Sequence, residues 1–164
     1  MQCAEPACET GLPRNQNRCL FRSRNVAIFS DNEPGSAKGE VLIHVVGDEP
    51  MLLELAKAIL EPNGFRVAGF RSGEAALAAF GTATPKPRLV ITDFAMGPIG
   101  RMNGLELIEA CRRIVPNQKT MLLSGTVDES VCHTAQSKPD MFIGKPYEPA
   151  QLLRVVRRLT GVGV

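Results

Sequence analysis

The chain of 164 residues has no Trp, a single Tyr (Tyr147) and no long apolar run. Nothing approaches the roughly 18 to 20 apolar residues that cross a bilayer, so no membrane role is expected. Charge of one sign is also scarce. Nineteen basic residues face 17 acidic ones, for a net charge of +2. That balance gives no reason to expect nucleic acid as a partner. The N-terminus lacks the apolar core that follows the basic residues of a signal peptide, and a cytoplasmic protein is expected. The five Cys are odd in number, and Cys3, Cys8 and Cys19 follow no common zinc spacing. Reduced thiols in a reducing compartment are the default reading. A metal or redox role for those three is the alternative.

What is present begins at about residue 40. Residues 1–39 mix Pro, Gly, Asn, Ser and charges around one short apolar patch, Val26-Ala27-Ile28-Phe29. They read as a disordered leader or linker. Residues 40–162 read as one domain, in which strands and helices alternate. Strands are expected at 41–46, 66–70, 88–92, about 119–123 and 140–144. A helix should start near Pro50, since Pro suits a first helical turn. Its buried stripe is Leu52, Leu55, Ala56, Ile59 and Leu60. Ser72 should cap the next helix, and a third carries Leu105, Ile108 and Cys111. Thr126-Val127-Asp128-Glu129 has capping-box form and should open a fourth. The last begins near Pro149 and carries Leu152, Val155, Val156 and Leu159. Strict alternation of this kind indicates a doubly wound α/β fold. Little sequence follows the last helix, so no output domain is expected.

Four apolar runs end in chemistry-bearing residues. Val41–Val46 leads into Gly47-Asp48-Glu49. Leu89–Thr92 ends at Asp93, Met121–Leu123 at Ser124, and Met141–Gly144 at Lys145. Buried parallel strands read as such runs, and open parallel sheets bind ligands beyond the carboxyl ends of their strands. Each residue alone has a plainer reading. Asp93 could cap a loop, Asp48 and Glu49 could be first-turn acids, Ser124 a turn residue and Lys145 a solvated lysine. Their coincidence at successive strand ends is harder to explain that way. Together they suit a divalent cation and a phosphoryl group. Mg²⁺ needs only one or two carboxylates beside its waters. A carboxylate can attack a phosphoryl donor to form an aspartyl-phosphate, and an ammonium can neutralise the transferring oxygens. The Ser124 hydroxyl and the N–H of Ala95 or Gly125 are candidate donors. His44, inside an apolar strand, reads as a satisfied core residue, and His133 as an exposed one.

The landmarks Val45-Val46-Gly47-Asp48-Glu49-Pro50, Ile91-Thr92-Asp93-Phe94-Ala95-Met96, Leu123-Ser124-Gly125 and Lys145-Pro146-Tyr147 resemble those of the receiver domains of bacterial two-component response regulators. Phe70-Arg71-Ser72-Gly73-Glu74-Ala75-Ala76-Leu77 resembles the same family's second strand and helix start. The resemblance runs from about Val41 to Leu159. It implies a flavodoxin-like five-stranded parallel sheet of order 2-1-3-4-5 with helices on both faces. It implies Asp93 as the phospho-acceptor, served by a histidine kinase or phosphotransfer protein. Asp48, Asp93 and the Ala95 backbone carbonyl would hold Mg²⁺, with Glu49 able to swing in. Ser124 and Lys145 would contact the phosphoryl group, and Ser124 with Phe142 would form the switch. The fourth helix, fifth strand and fifth helix would form the output face, where a downstream protein binds and a homodimer can form.

Three positions depart from the family pattern. Gly47 stands where a first acid is usual, which should weaken Mg²⁺ binding. The loop 96–104 is longer than is typical, and its Arg101 is either solvated or a charge near the phosphate, the former being the default. Phe142 stands where many relatives carry Tyr. The leading expectation is a stand-alone phospho-acceptor switch rather than a turnover enzyme. The alternative is a pseudo-receiver, a binding module without phosphorylation. A phosphatase of the haloacid dehalogenase type ranks last, because Ala95 stands where those enzymes place a second Asp.

Overall fold

The computed structural model describes residues 40–97, 102–125 and 138–163. In them β1 (Val41–Val46) leads into α1 (Pro50–Leu60) and a short 3-10 turn, Glu61–Asn63. Next come β2 (Phe65–Phe70), α2 (Gly73–Thr82), β3 (Leu89–Asp93), α3 (Gly104–Ile114), β4 (Lys119–Ser124), β5 (Met141–Gly144) and α4 (Pro149–Thr160). The expected leader 1–39 and the expected helix at Thr126 lie outside the described residues, as do Arg101, His133, Cys132 and the three N-terminal Cys. No helix among the described residues is long and apolar enough to cross a membrane.

The five strands form one sheet of order β2-β1-β3-β4-β5, every pair parallel. This is the order that the resemblance implied, on the doubly wound fold that the alternation predicted. Strand side chains alternate between two faces. Ile43, Val45, Leu89, Ile91, Met121, Leu123 and Ile143 pack with Leu52, Leu53, Ala56 and Leu60 of α1 and Leu152 and Val156 of α4. On the other face Val46 and Val90 pack with Ala76 and Phe80 of α2 and Leu107 and Cys111 of α3. Leu122 meets Ile108, with Phe94, Leu105 and Phe142 around them. Both faces are covered, as near-continuous apolar strands require.

Local signals place the helices. Pro50 opens α1, and Ser72 Oγ accepts from Ala75 N at 3.2 Å to cap α2. Asn103 and Glu106 form a reciprocal capping box at the start of α3. The N-terminal end of β5 is tied to β4 and α3 through Asp140. Its carboxylate accepts from Arg112 Nη2 at 2.7 Å, Lys119 Nζ at 2.9 Å and Thr120 N at 2.9 Å. Burial pushes the Asp140 carboxyl up, but these hydrogen bonds and the charges of Arg112 and Lys119 outweigh it and leave it below the usual carboxylate range.

Two expectations need correction. Leu55 is not part of the buried stripe and is 45% exposed. The inward positions of α1 are Leu52, Leu53, Ala56 and Leu60, and Leu55 turns with Met51 onto a neighbouring face. His44 is buried as expected, but its Nδ1 has no hydrogen-bond partner among the described residues. It is packed instead against aromatic rings, 4.8 Å from Phe70 and 6.4 Å from Phe80 between centroids. Cys111 is a buried free thiol, its pKa pushed up to about 11 by burial.

Candidate functional site

The strand order reverses between β1 and β3, where open α/β sheets bind ligands beyond their carboxyl ends. Asp93, the last residue of β3, lies at this point and is 5% exposed. A buried carboxylate needs a partner, and Asp93 has one. Lys145 Nζ donates to its Oδ2 at 2.5 Å. The main chain delivers both groups. Phe94 N donates to Leu123 O and Lys145 N to Ser124 O, each at 2.8 Å, so the ladders continue past the strand ends. Ser124, buried at the end of β4, stands between them in sheet order.

Asp48 follows β1 in a half-buried position. Its Oδ2 accepts from Gly97 N at 3.0 Å, across the crevice from the loop after β3. A Cβ on Gly97 would lie 2.7 Å from that oxygen, so a larger residue there would push the Asp48 carboxylate aside. Arg71 Nη2 donates to Asp48 O at 3.2 Å, and Glu74 Oε1 accepts from Met102 N at 3.1 Å. The start of α2 thus laces together the two loops that border the crevice. Gly104 packs α3 directly on the acceptor. Its N donates to Phe94 O at 3.0 Å, and a Cβ there would lie 2.3 Å from Asp93 O.

Of the residues picked out in the sequence, Asp93 and Lys145 are in direct contact, and Asp48 and Ser124 lie at neighbouring strand ends. Glu49 is exposed; it makes no capping bond to α1 and lines a cavity of about 380 Å³ with Met51, Leu52, Leu55, Lys145, Pro146 and Tyr147. Ala95 is exposed beside Asp93 in sequence, and Gly125 sits close to Lys145, 3.6 Å from its would-be Cβ to Lys145 Cβ. Phe142 is half-buried against the Ile108–Leu122 cluster rather than in the crevice. Sequence reasoning missed the part of Tyr147. Burial raises its pKa, and the charges of Asp93 and Glu49 raise it further. Gly97 and Arg71 were also missed, because their effect depends on loop approach rather than on residue type.

The donor set suits a small hard cation. Asp48 and Asp93 offer carboxylate oxygens from adjacent strands, and such an ion keeps waters in its remaining positions. No group of three or more His, Cys, Asp or Glu able to hold a metal forms among the described residues.

The model of the response regulator receiver domain family matches residues 43–157. The nitrogen assimilation regulatory protein NtrX of Azorhizobium caulinodans is 30% identical over 118 residues, covering 71% of this chain and 25% of that protein. The DNA-binding response regulator MtrA of Mycolicibacterium smegmatis is 30% identical over 115 residues, covering 70% of this chain and 48% of that protein. The crystal structure of the receiver domain of NtrX from Brucella abortus superposes with a TM-score of 0.66 at 27% identity, covering 74% of this chain and 99% of that one. The chain therefore spans a quarter to a half of the length of these two curated relatives.

Proposed function

Since the chain belongs to the response regulator receiver domain family, we propose that it is a phosphorelay switch that takes a phosphoryl group on Asp93. The observation that carries this reading is the buried Asp93 carboxylate paired with Lys145 at the strand-end crevice. An Asp93 oxygen attacks the phosphorus of a phosphohistidine on a kinase or phosphotransfer protein. The O–P bond forms, the P–N bond breaks, and the imidazole, already protonated on its other ring nitrogen, takes the P–N electron pair and leaves neutral. Phosphoryl transfer needs mainly positioning and charge. Lys145 supplies a fixed ammonium, and Ser124 a hydroxyl that can follow the new oxygens. Asp48, Asp93 and the Ala95 carbonyl would hold Mg²⁺, with Glu49 at the rim, and bound Mg²⁺ would neutralise phosphoryl charge.

The product is a charge change at one residue, which biases a two-state element. Lys145 leaves its bond to the Asp93 carboxylate for the phosphoryl oxygens, Ser124 draws in, and Phe142, half-buried against Ile108 and Leu122 beforehand, turns inward. The face of β5 and α4 then binds a downstream protein. Turnover of a substrate is not part of this role.

Intact-mass spectrometry after incubation with acetyl phosphate tests it. The expected result is a single phosphoryl adduct that needs Mg²⁺ and is absent from Asp93→Asn. A folded protein that gains no adduct, from acetyl phosphate or from a phosphorylated donor domain, would instead be a pseudo-receiver. Gly47 is the one feature that favours that second reading.

A further inference from the structure

The connection from β3 to α3 borders the crevice and is tied at Gly97 and again at Met102. Gly97 N donates to Asp48 Oδ2 at 3.0 Å. Met102 N donates to Glu74 Oε1 at 3.1 Å, across 28 positions of sequence. Glu74 is an exposed acid in the first turn of α2, where the helix dipole alone would favour one. The dipole does not account for its bond to a separate segment. The Met102 side chain lies over Gly73, since a Cβ there would be 3.1 Å from Met102 Cβ, Cγ and Sδ. The same side chain packs against the cluster of Val46, Phe80 and Leu107. The start of α2 thus holds both the backbone and the side chain of Met102. Two residues later Gly104 N donates to Phe94 O at 3.0 Å, and Gly104 packs on the carbonyl of Asp93 itself.

We propose that Glu74 is a positioning residue for phosphoryl uptake, acting through Met102 and Gly104 on the Asp93–Phe94 backbone. This rests on the reading of Asp93 as the phospho-acceptor. The tie at Gly97 uses Asp48, a carboxylate that the same reading gives to Mg²⁺. The tie at Met102 uses a carboxylate that is not assigned to the ion, so it holds the loop whatever Asp48 does. A small misplacement of a reacting group is costly even when its cause is remote.

The test follows initial labelling of the full chain by acetyl phosphate, read by intact mass, beside amide NMR spectra taken without Mg²⁺. Glu74→Ala should slow labelling by about fivefold or more. Glu74→Gln keeps an acceptor oxygen and should restore most of the rate. Asn103→Ala removes a cap next to Met102 and should cost the start of α3 alone, with the rate unchanged. In the spectra Glu74→Ala should move the Met102, Gly104 and Phe94 amide resonances, and Glu74→Gln should return them. If Glu74→Ala labels at the parent rate, or Glu74→Gln is as slow as Glu74→Ala, no hydrogen bond at 74 positions the acceptor and the proposal is wrong. Equal slowing by Asn103→Ala would reduce Glu74 to general support of the loop and overturn it too. So would slow labelling with the Gly104 and Phe94 resonances unmoved, because the route from Met102 would be broken. A parent chain that gains no adduct dependent on Asp93 would overturn the phospho-acceptor reading itself, and this proposal with it.

Discussion

At the scale of single residues, two buried groups set measurable properties. His44 is neutral in the fold, its pKa lowered from 6.5 to about 4 by burial among Phe70 and Phe80. Between those values the unfolded chain binds a proton that the folded chain does not. The His44 contribution is therefore complete above about pH 6.5 and is lost as pH falls toward 4. It amounts to about 3 kcal/mol at most. Urea denaturation between pH 7 and 4 should show this slope, and His44→Leu should flatten it. The remaining acid loss in that variant would come from groups such as Asp140, whose lowered pKa gives stability that disappears as pH falls through the carboxylate range. The second group is Asp93. Lys145→Ala strands its buried carboxylate and should cost about 1–3 kcal/mol in urea denaturation. Asp93→Asn with Lys145→Ala should recover most of that loss. A double variant as unstable as the sum of the two singles would mean that the pair makes no net contribution.

At the scale of elements, the glycine at the start of α3 decides how close a helix may come to the acceptor. Gly104→Ala would place a Cβ 2.3 Å from Asp93 O and 2.8 Å from Leu122 Cδ1. The cost should be about 1–3 kcal/mol, with slower labelling by acetyl phosphate because Asp93 must move. Asn103→Ala removes only the capping box and should cost about 1 kcal/mol, with labelling rate unchanged. Equal labelling rates in the two variants would show that the close approach does not position Asp93. The contrast also shows what a sequence can tell. Asp93, Ser124 and Lys145 were legible because apolar runs end there, and Ser72 and Pro50 because capping and first-turn chemistry is local. Gly104 and Gly97 were not, since nothing in their neighbouring residues records which backbone or side chain lies opposite. Leu55 misled for a related reason. Spacings of three and four define a stripe about a helix, but not how far around the helix the sheet's cover extends.

At the scale of the whole molecule, a local charge has to become a change of partners. Moving a switch from 1:99 to 99:1 takes about 5.5 kcal/mol of differential stabilisation. In the proposed switch, Lys145 links the phosphoryl group to β5 and Phe142. Before that step a donor must bring its phosphohistidine to Asp93, and the surface beside the crevice is suited to receive it. Met51 is 83% exposed and Leu55 45%, one turn apart on α1, above a cavity shared with Lys145, Pro146 and Tyr147. Exposed apolar groups gathered in this way mark contact surfaces. A protein donor would bury them while presenting its histidine to Asp93, whereas acetyl phosphate reaches Asp93 without touching them. Met51→Glu with Leu55→Ser should therefore slow phosphotransfer from a cognate phosphorylated donor domain by about tenfold or more and leave labelling by acetyl phosphate within about twofold. Both side chains are solvent-facing, so the melting temperature should hardly change. Equal slowing with both donors would place the defect in the acceptor crevice, and no slowing with either would move the docking surface elsewhere on the molecule.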